Sequence, residues 1–216
     1  MDYAIFLSSV TLFALSMCFT PGPNNALAMA TGLDKGFRAA LPHCLAVPVG
    51  GVTELVALYL GLGQVFTRFP IIYEALRYTG AVYMVWLAWR ISGLGQRKTA
   101  QAESSPQNAA AAASGPQGGI TPLTFGQSFL LQFVNVKAWI TNVVIISNYV
   151  GTGEHSRTRF WIVLVLMAVM CFTSVAMWAA GGSFMRRFLT SDGMRRCNYV
   201  FAAFLLVSVA LLFVDK

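Results

Sequence analysis

Apolar residues are gathered along this chain into six runs, at roughly 3–22, 40–66, 71–91, 124–150, 160–184 and 198–214. A bilayer-crossing helix needs about 20 predominantly apolar residues. The pattern therefore predicts an all-α integral membrane protein with six transmembrane helices. Between the third and fourth runs stands GLGQRKTAQAESSPQNAAAAASGPQGGITP, polar, rich in Gly, Pro and Ala, and too poor in large apolar residues to pack a core. It reads as a flexible cytoplasmic linker over 93–122. On either side lie a first three-helix unit, 1–92, and a second, 123–216. Three is an odd number, so the second unit enters the membrane with opposite orientation, and the pair reads as two inverted-topology repeats.

One polar interruption organises the first run. Thr20-Pro21-Gly22-Pro23-Asn24-Asn25 cuts an apolar stretch that extends from Tyr3 to about Leu33. Two prolines and a glycine remove backbone donors and loosen the helix there. Freed carbonyls find no water in hydrocarbon, so such a break is costly unless protein or a wet cavity covers it. It is either a helix end at the membrane surface or a broken first helix lining a transport path. The fourth run carries a matching polar interruption in FLLQFVNVKAWITNVV. Paired interruptions in the two halves of a transporter point to a binding site near the midplane.

Two charges fall inside apolar runs. Glu54 lies in VPVGGVTELVALYLGLG, where a charge costs about 3 kcal/mol or more at bilayer depth unless paired or hydrated. His43, Val47, Gly50 and Glu54 share one helical face, with Gly50 and Gly51 leaving it open and Pro48 placed to kink it. Glu54 is thus either a structural carboxylate paired with a neighbour or a residue that touches substrate or carries a proton. Lys137 is the second deep charge. Its natural partners are Glu54 or a freed backbone carbonyl, and a snorkelling position at the interface is the plainer alternative. Gln132, Asn135 and Asn142 fall on one stripe, which faces protein rather than lipid, for helix–helix hydrogen bonding or for ligand contact. In the fifth run Cys171, Ser174, Trp178, Gly181 and Gly182 suggest close helix packing. Glu74 and Arg77 form a local pair one turn apart, and Trp86, Trp89, Trp139 and Trp161 sit where an interfacial aromatic belt would.

Composition sharpens this. Of 216 residues 56% are apolar and 11% charged, against about a quarter charged in soluble domains. Net charge is +7, but no basic run interleaved with aromatics suggests nucleic acid, so the charges serve as topology signals. Nine Lys and Arg (35, 38, 90, 97, 98, 186, 187, 195, 196) fall on one side and five (68, 77, 157, 159, 216) on the other. The richer side belongs in the cytoplasm, which places both termini outside it. No positively charged leader and cleavage site precede the first run, which reads as a retained helix. Cys18, Cys44, Cys171 and Cys197 show neither C-x-x-C spacing nor clustering, so they read as small core residues without metal or disulfide. No phosphate loop, H-E-x-x-H or G-x-S-x-G pattern is present, and no cofactor is expected. A membrane-embedded enzyme would need a nucleophile or metal cluster that is not visible. A non-transport membrane subunit with a structural or regulatory role stays open as the alternative.

TPGPNNALAMATGLDKGFRAALPH near the start and FGQSFLLQFVNVKAWI after the linker resemble the LysE/RhtB family of bacterial amino-acid exporters, and with the six-segment layout the resemblance spans essentially the whole chain. The second motif looks closest to the branch that exports cysteine and O-acetylserine. Most members would show Asn-Pro-Lys where this chain has Asn135-Val136-Lys137, and the departure is expected to cost the fourth segment its proline kink. The family also tends to carry glycine where Ala46 stands. The resemblance implies a bacterial inner-membrane exporter of amino acids or close metabolites, driven by proton exchange. Thr20, Pro21, Gly22, Pro23, Asn24 and Asn25 match the first signature, and Asn135 and Lys137 the second. Glu54 has no place in the family pattern. Its assignment as proton carrier comes from burial cost alone. The carboxylate of a zwitterionic substrate suits the backbone donors around Gly22, Asn24 and Asn25 or the Lys137 ammonium, and the substrate ammonium suits Glu54 or carbonyls freed by the prolines. The two halves are then expected to rock about the shared site, in contact with lipid and with a homo-oligomeric interface open to small residues such as Gly61, Gly63, Gly181 and Gly182.

Overall fold

A computed structural model of the protein describes residues 3–92, 121–211 and 213, and every element in them is a helix. Both chain ends and the expected linker lie outside the described residues, except for its last two positions, 121 and 122. The first run is two helices, α1 (Tyr3–Phe19) and α2 (Pro23–Lys35), bent by 52°. Pro23 opens α2, where its missing N–H would be unbonded in any case, and Gly22 ahead of it is fully extended (φ −167°, ψ 178°). Gly36 closes α2 at φ 86°, a left-handed backbone that favours glycine.

Helix α3 (Phe37–Ala57) carries Pro42 and Pro48 inside it and continues through a π turn, Leu58–Leu62, into the short α4 (Gly63–Arg68). Gly61, at φ 110°, bends the chain in that turn. Helix α5 spans Pro70–Ser92 and carries the expected Glu74–Arg77 ion pair at 3.1 Å. In the second half α6 (Phe125–Val134) begins with a reciprocal cap between Thr124 and Gln127. Helix α7 (Val136–Ile145) follows at 66°, and a π turn, Ile146–Val150, extends it. Helices α8 (Ser156–Met185) and α9 (Ser191–Leu211) complete the chain. Among the described residues two helices, Phe37–Leu62 and Ser156–Met185, are long and apolar enough to cross a membrane, and up to four spans result if each bent pair is one.

The fourth run corrects an expectation. The proline is absent, yet the break is present, because Asn135 leaves the helix at φ −86°, ψ 92°. Neighbours hold what a proline ring would otherwise impose. The indole Nε1–H of Trp139 donates to the freed Phe133 carbonyl at 2.9 Å, and Gly80 of α5 lets the Val134 carbonyl approach so closely that a Cβ at position 80 would collide with it. Trp139 is therefore buried at the break rather than part of an aromatic belt, whereas Trp86, Trp89 and Trp161 are exposed.

Helix α8 packs along α2 and α3, α3 meets α6, and α5 pairs with α9. Glycine makes the α2–α8 contact close: a Cβ on Gly32 would strike the Ala179 carbonyl, and one on Gly182 the Met29 carbonyl. Gly181 faces open space. Apolar clusters fill both ends of the bundle, one around Leu27, Leu87, Ile91 and Leu205 and another around Phe6, Val10, Leu55, Ile145 and Phe160. Many large apolar side chains, among them Leu12, Leu60, Ile71, Val82, Val165 and Val200, point outward instead.

Candidate functional site

The two breaks meet. A cavity of about 630 Å³, counting its open mouth, lies where the α1–α2 junction faces the α6–α7 junction, with α3 and α8 as its other walls. Gly22, Pro23, Asn24 and Asn25 line it from the first break, and Gln132, Asn135 and Lys137 from the second. Thr141 and Asn142 add to it from α7, Val47, Pro48, Gly51 and Val52 from α3, and Cys171 and Ser174 from α8.

Lys137 ties the breaks together. Its ammonium donates to the Thr20 carbonyl at 3.0 Å, the Thr20 hydroxyl at 2.9 Å and the Pro21 carbonyl at 3.3 Å. Both carbonyls lie in the gap between α1 and α2, where the helix ladder is interrupted, so a cation from the opposite half meets the backbone acceptors of the break. Of the two partners expected for Lys137, the backbone is the one used. The ion pairs among the described residues are Asp34–Lys35, Glu74–Arg77 and Asp192–Arg195, and none joins Lys137 to Glu54. Behind Lys137 a second hollow of about 510 Å³, bounded by Pro21, Met84, Ile140 and Ser208, shares Met17, Gly22, Pro23 and Lys137 with the first. The Lys137 side chain thus stands in the wall between two spaces.

Asparagines order the first break. Asn25, buried, donates through Nδ2 to the carbonyls of Cys18 at 2.8 Å and Thr20 at 3.0 Å. Ser174 of α8 donates to the same Cys18 carbonyl at 2.7 Å. The Asn24 side chain donates to Gln132 Oε1, and the ring Nε2–H of buried His43 donates to the Asn24 carbonyl at 3.1 Å. Gly50 leaves the space that the Gln132 side chain fills, since a Cβ there would stand 2.6 Å from it. The polar stripe expected on one helix is thus divided by the bend, yet Gln132, Asn135 and Asn142 still face the same cavity.

Glu54 is fully buried on the expected α3 face but does not line the cavity. Asn142 stands between, donating to Glu54 Oε2 at 3.0 Å and to the Gly51 carbonyl at 3.2 Å. Thr20 also lies outside the lining and reaches the site through Lys137. Three buried oxygens in this region have no hydrogen-bond partner: Asn24 Oδ1, Asn135 Oδ1 and Glu54 Oε1. Two of them belong to cavity-lining residues and can accept from a cation. The first-turn N–H groups of α2, at Asn24 and Asn25, have no carbonyl four residues back within the helix, and Lys137 supplies a positive charge beside them. Among the described residues no cluster of three or more His, Cys, Asp or Glu could hold a metal ion.

Sequence reading missed three participants. Cys18 and Cys171 pack against the Phe6–Phe160 cluster, as expected of small core residues, but both are half-buried, both also line the cavity, and their sulfurs lie 3.7 Å apart across α1 and α8. At 153 positions apart, no spacing rule announces them. Thr141 has no sequence signal beyond a polar residue one turn from Lys137, whose carbonyl its hydroxyl contacts at 2.7 Å.

A family profile described as LysE type translocator matches residues 15–216. The cysteine/O-acetylserine efflux protein of Shigella flexneri is 30% identical over 212 residues, 97% of this chain and 98% of its own length. The protein of that name in Escherichia coli K12 is 30% identical over 210 residues, 96% and 97% of the two chains. Its Klebsiella pneumoniae counterpart is 28% identical over 214 residues, 97% of each. No solved structure matches this chain. The family match covers all but the first turns of α1, and the chain belongs to the LysE-type translocator family.

Proposed function

We propose that this protein exports small neutral amino acids of the cysteine and O-acetylserine kind across the bacterial inner membrane. The observation that carries the proposal is the cavity at the meeting point of two helix breaks, with an ammonium and unpartnered amide oxygens around it. That set is complementary to a zwitterion. Lys137 and the N-terminus of α2 suit the carboxylate, and Asn24 Oδ1 and Asn135 Oδ1 suit the substrate ammonium. The names of the relatives support the cargo class.

The six-span layout with two inverted repeats belongs to the same proposal. Each half has a bent pair first, then a long helix, then a helix of about one span: α1–α2, α3, α5 and α6–α7, α8, α9. The third helices of the two halves, α5 and α9, pack against each other, and each half sets its long helix against the bent pair of the other, α8 along α2 and α3 along α6. Apolar side chains exposed on the outer faces fit lipid contact. Substrate binding displaces Lys137 from Thr20 and Pro21, so loading the site and loosening the first break are one event. Proton exchange supplies the driving force, with Glu54 as carrier acting through Asn142, its link to the cavity.

The test is efflux of preloaded labelled O-acetylserine and cysteine from cells overproducing the protein, with and without an uncoupler. Accelerated efflux that the uncoupler abolishes is the expected result. Normal membrane levels with no efflux of either compound would favour the non-transport reading instead.

A further inference from the structure

The Cys18–Cys171 contact is more than proximity. Cys18 is the penultimate residue of α1, at the edge of the first break, and Cys171 lies three residues before Ser174 on α8. Ser174 bonds the Cys18 backbone carbonyl at 2.7 Å, and Asn25, itself within reach of Ser174 at 3.4 Å, bonds that carbonyl again. The end of α1 is therefore held against α8 by the Ser174 hydroxyl and against α2 by the Asn25 amide, both donating to the Cys18 carbonyl, and in that register the two thiols face each other at 3.7 Å. A disulfide needs about 2.0 Å between sulfurs. The inferred bond requires the two side chains to turn toward each other. Both residues line a cavity with an open mouth, the route by which a small solute would approach them, while Cys44 is fully buried in the α2–α3–α8 core and Cys197 does not line the cavity.

We infer that Cys18 and Cys171 form a redox site that small-molecule disulfides oxidise, and that the resulting bond pins α1 to α8 and locks the transport cavity. The chemistry balances as two exchanges. One cysteine, as thiolate, attacks a sulfur of the small disulfide, giving a mixed disulfide and expelling one small thiolate. The second cysteine, as thiolate, attacks the protein sulfur of that mixed disulfide and expels the other. Two protein thiols are oxidised, one small disulfide is reduced to two thiols, and the two cysteine protons pass to the two leaving thiolates. The disulfide form of a thiol amino acid is the class of oxidant that fits, because on the proposed function the cavity admits its reduced half. The dithiol site stands on its own geometry. Its effect on export rests on the proposed function.

The experiment uses full-length protein with Cys44→Ala and Cys197→Ala, reconstituted in vesicles and treated with cystine or dithiothreitol. Free thiols are alkylated, and the protein is digested without reductant for peptide mapping. Movement of labelled O-acetylserine, which carries no thiol, is followed in parallel. The expected result is a peptide linking Cys18 to Cys171, transport lost on oxidation, and transport recovered with dithiothreitol. Cys171→Ser in the same background loses the response to cystine, whatever its own rate. Alkylated thiols at both positions after cystine would overturn the site. A linked peptide with undiminished transport, or a Cys171→Ser protein still silenced by cystine, would overturn the lock. A linked peptide in protein that moves no O-acetylserine even when reduced sustains the redox site and counts against the exporter reading.

Discussion

Lys137 donates to three acceptors at the first break and shares one of them, the Thr20 carbonyl, with Asn25, so its loss leaves the break short of donors. Hydrogen bonds to a charged group contribute about 1.5–3 kcal/mol, and a missing substrate partner adds to that loss. Lys137→Met is expected to cut the initial efflux rate by roughly tenfold to a hundredfold on that scale, at about 1.4 kcal/mol per tenfold. Lys137→Arg should retain part of the rate, because a guanidinium still reaches carbonyls but fits a single carbonyl cluster less well. Rates normalised to protein in the membrane check both. Glu54 makes a different prediction. Glu54→Gln keeps an oxygen for Asn142 to donate to, so the variant should reach the membrane at normal levels while its transport no longer responds to an imposed proton gradient. An unchanged response in vesicles would remove Glu54 from the coupling.

Among the elements, the broken first helix could be read from Pro21, Gly22 and Pro23, since proline and glycine declare themselves locally. The second break could not be read so directly. It rests on Gly80, Trp139 and the backbone of Asn135, two of them outside the segment's polar stripe and one on a different helix. The run boundaries came out close because apolar length is a local property, but the π turns at Leu58–Leu62 and Ile146–Val150 left no trace in composition. Likewise Asn24, Asn135 and Lys137 announced themselves as costly polar residues in apolar runs, whereas Cys18 and Cys171 look apolar one at a time and acquire meaning only in three dimensions. The second break yields a sharp prediction. Position 136 is the first residue of α7 and follows an extended Asn135, the geometry that a proline ring prefers. Val136→Pro is therefore expected to fold and transport, and to gain about 0.4–1 kcal/mol by restricting the unfolded chain. Thermal unfolding in detergent would show it, and a fall in melting temperature would mean that the Val136 side chain against Gly80 matters more than the backbone.

At the scale of the whole molecule, the proposed orientation rests on nine cations against five and predicts that both chain ends face away from the cytoplasm. Alkaline phosphatase fused after Lys216 should then be active, and a fluorescent protein that matures only in the cytoplasm should stay dark at the same point. The opposite result inverts the membrane topology but leaves the cavity intact. A last consequence follows from the glycines at 32 and 182. Backbone there lies against backbone, with no layer of side chains to slide. Helix α2 comes from before the linker and α8 from after it, yet they are fastened like crossed forearms. Transport is therefore expected to move α2 and α8 together, as one body drawn from both stretches, with the bends at residues 20–22 and 135 as its elbows.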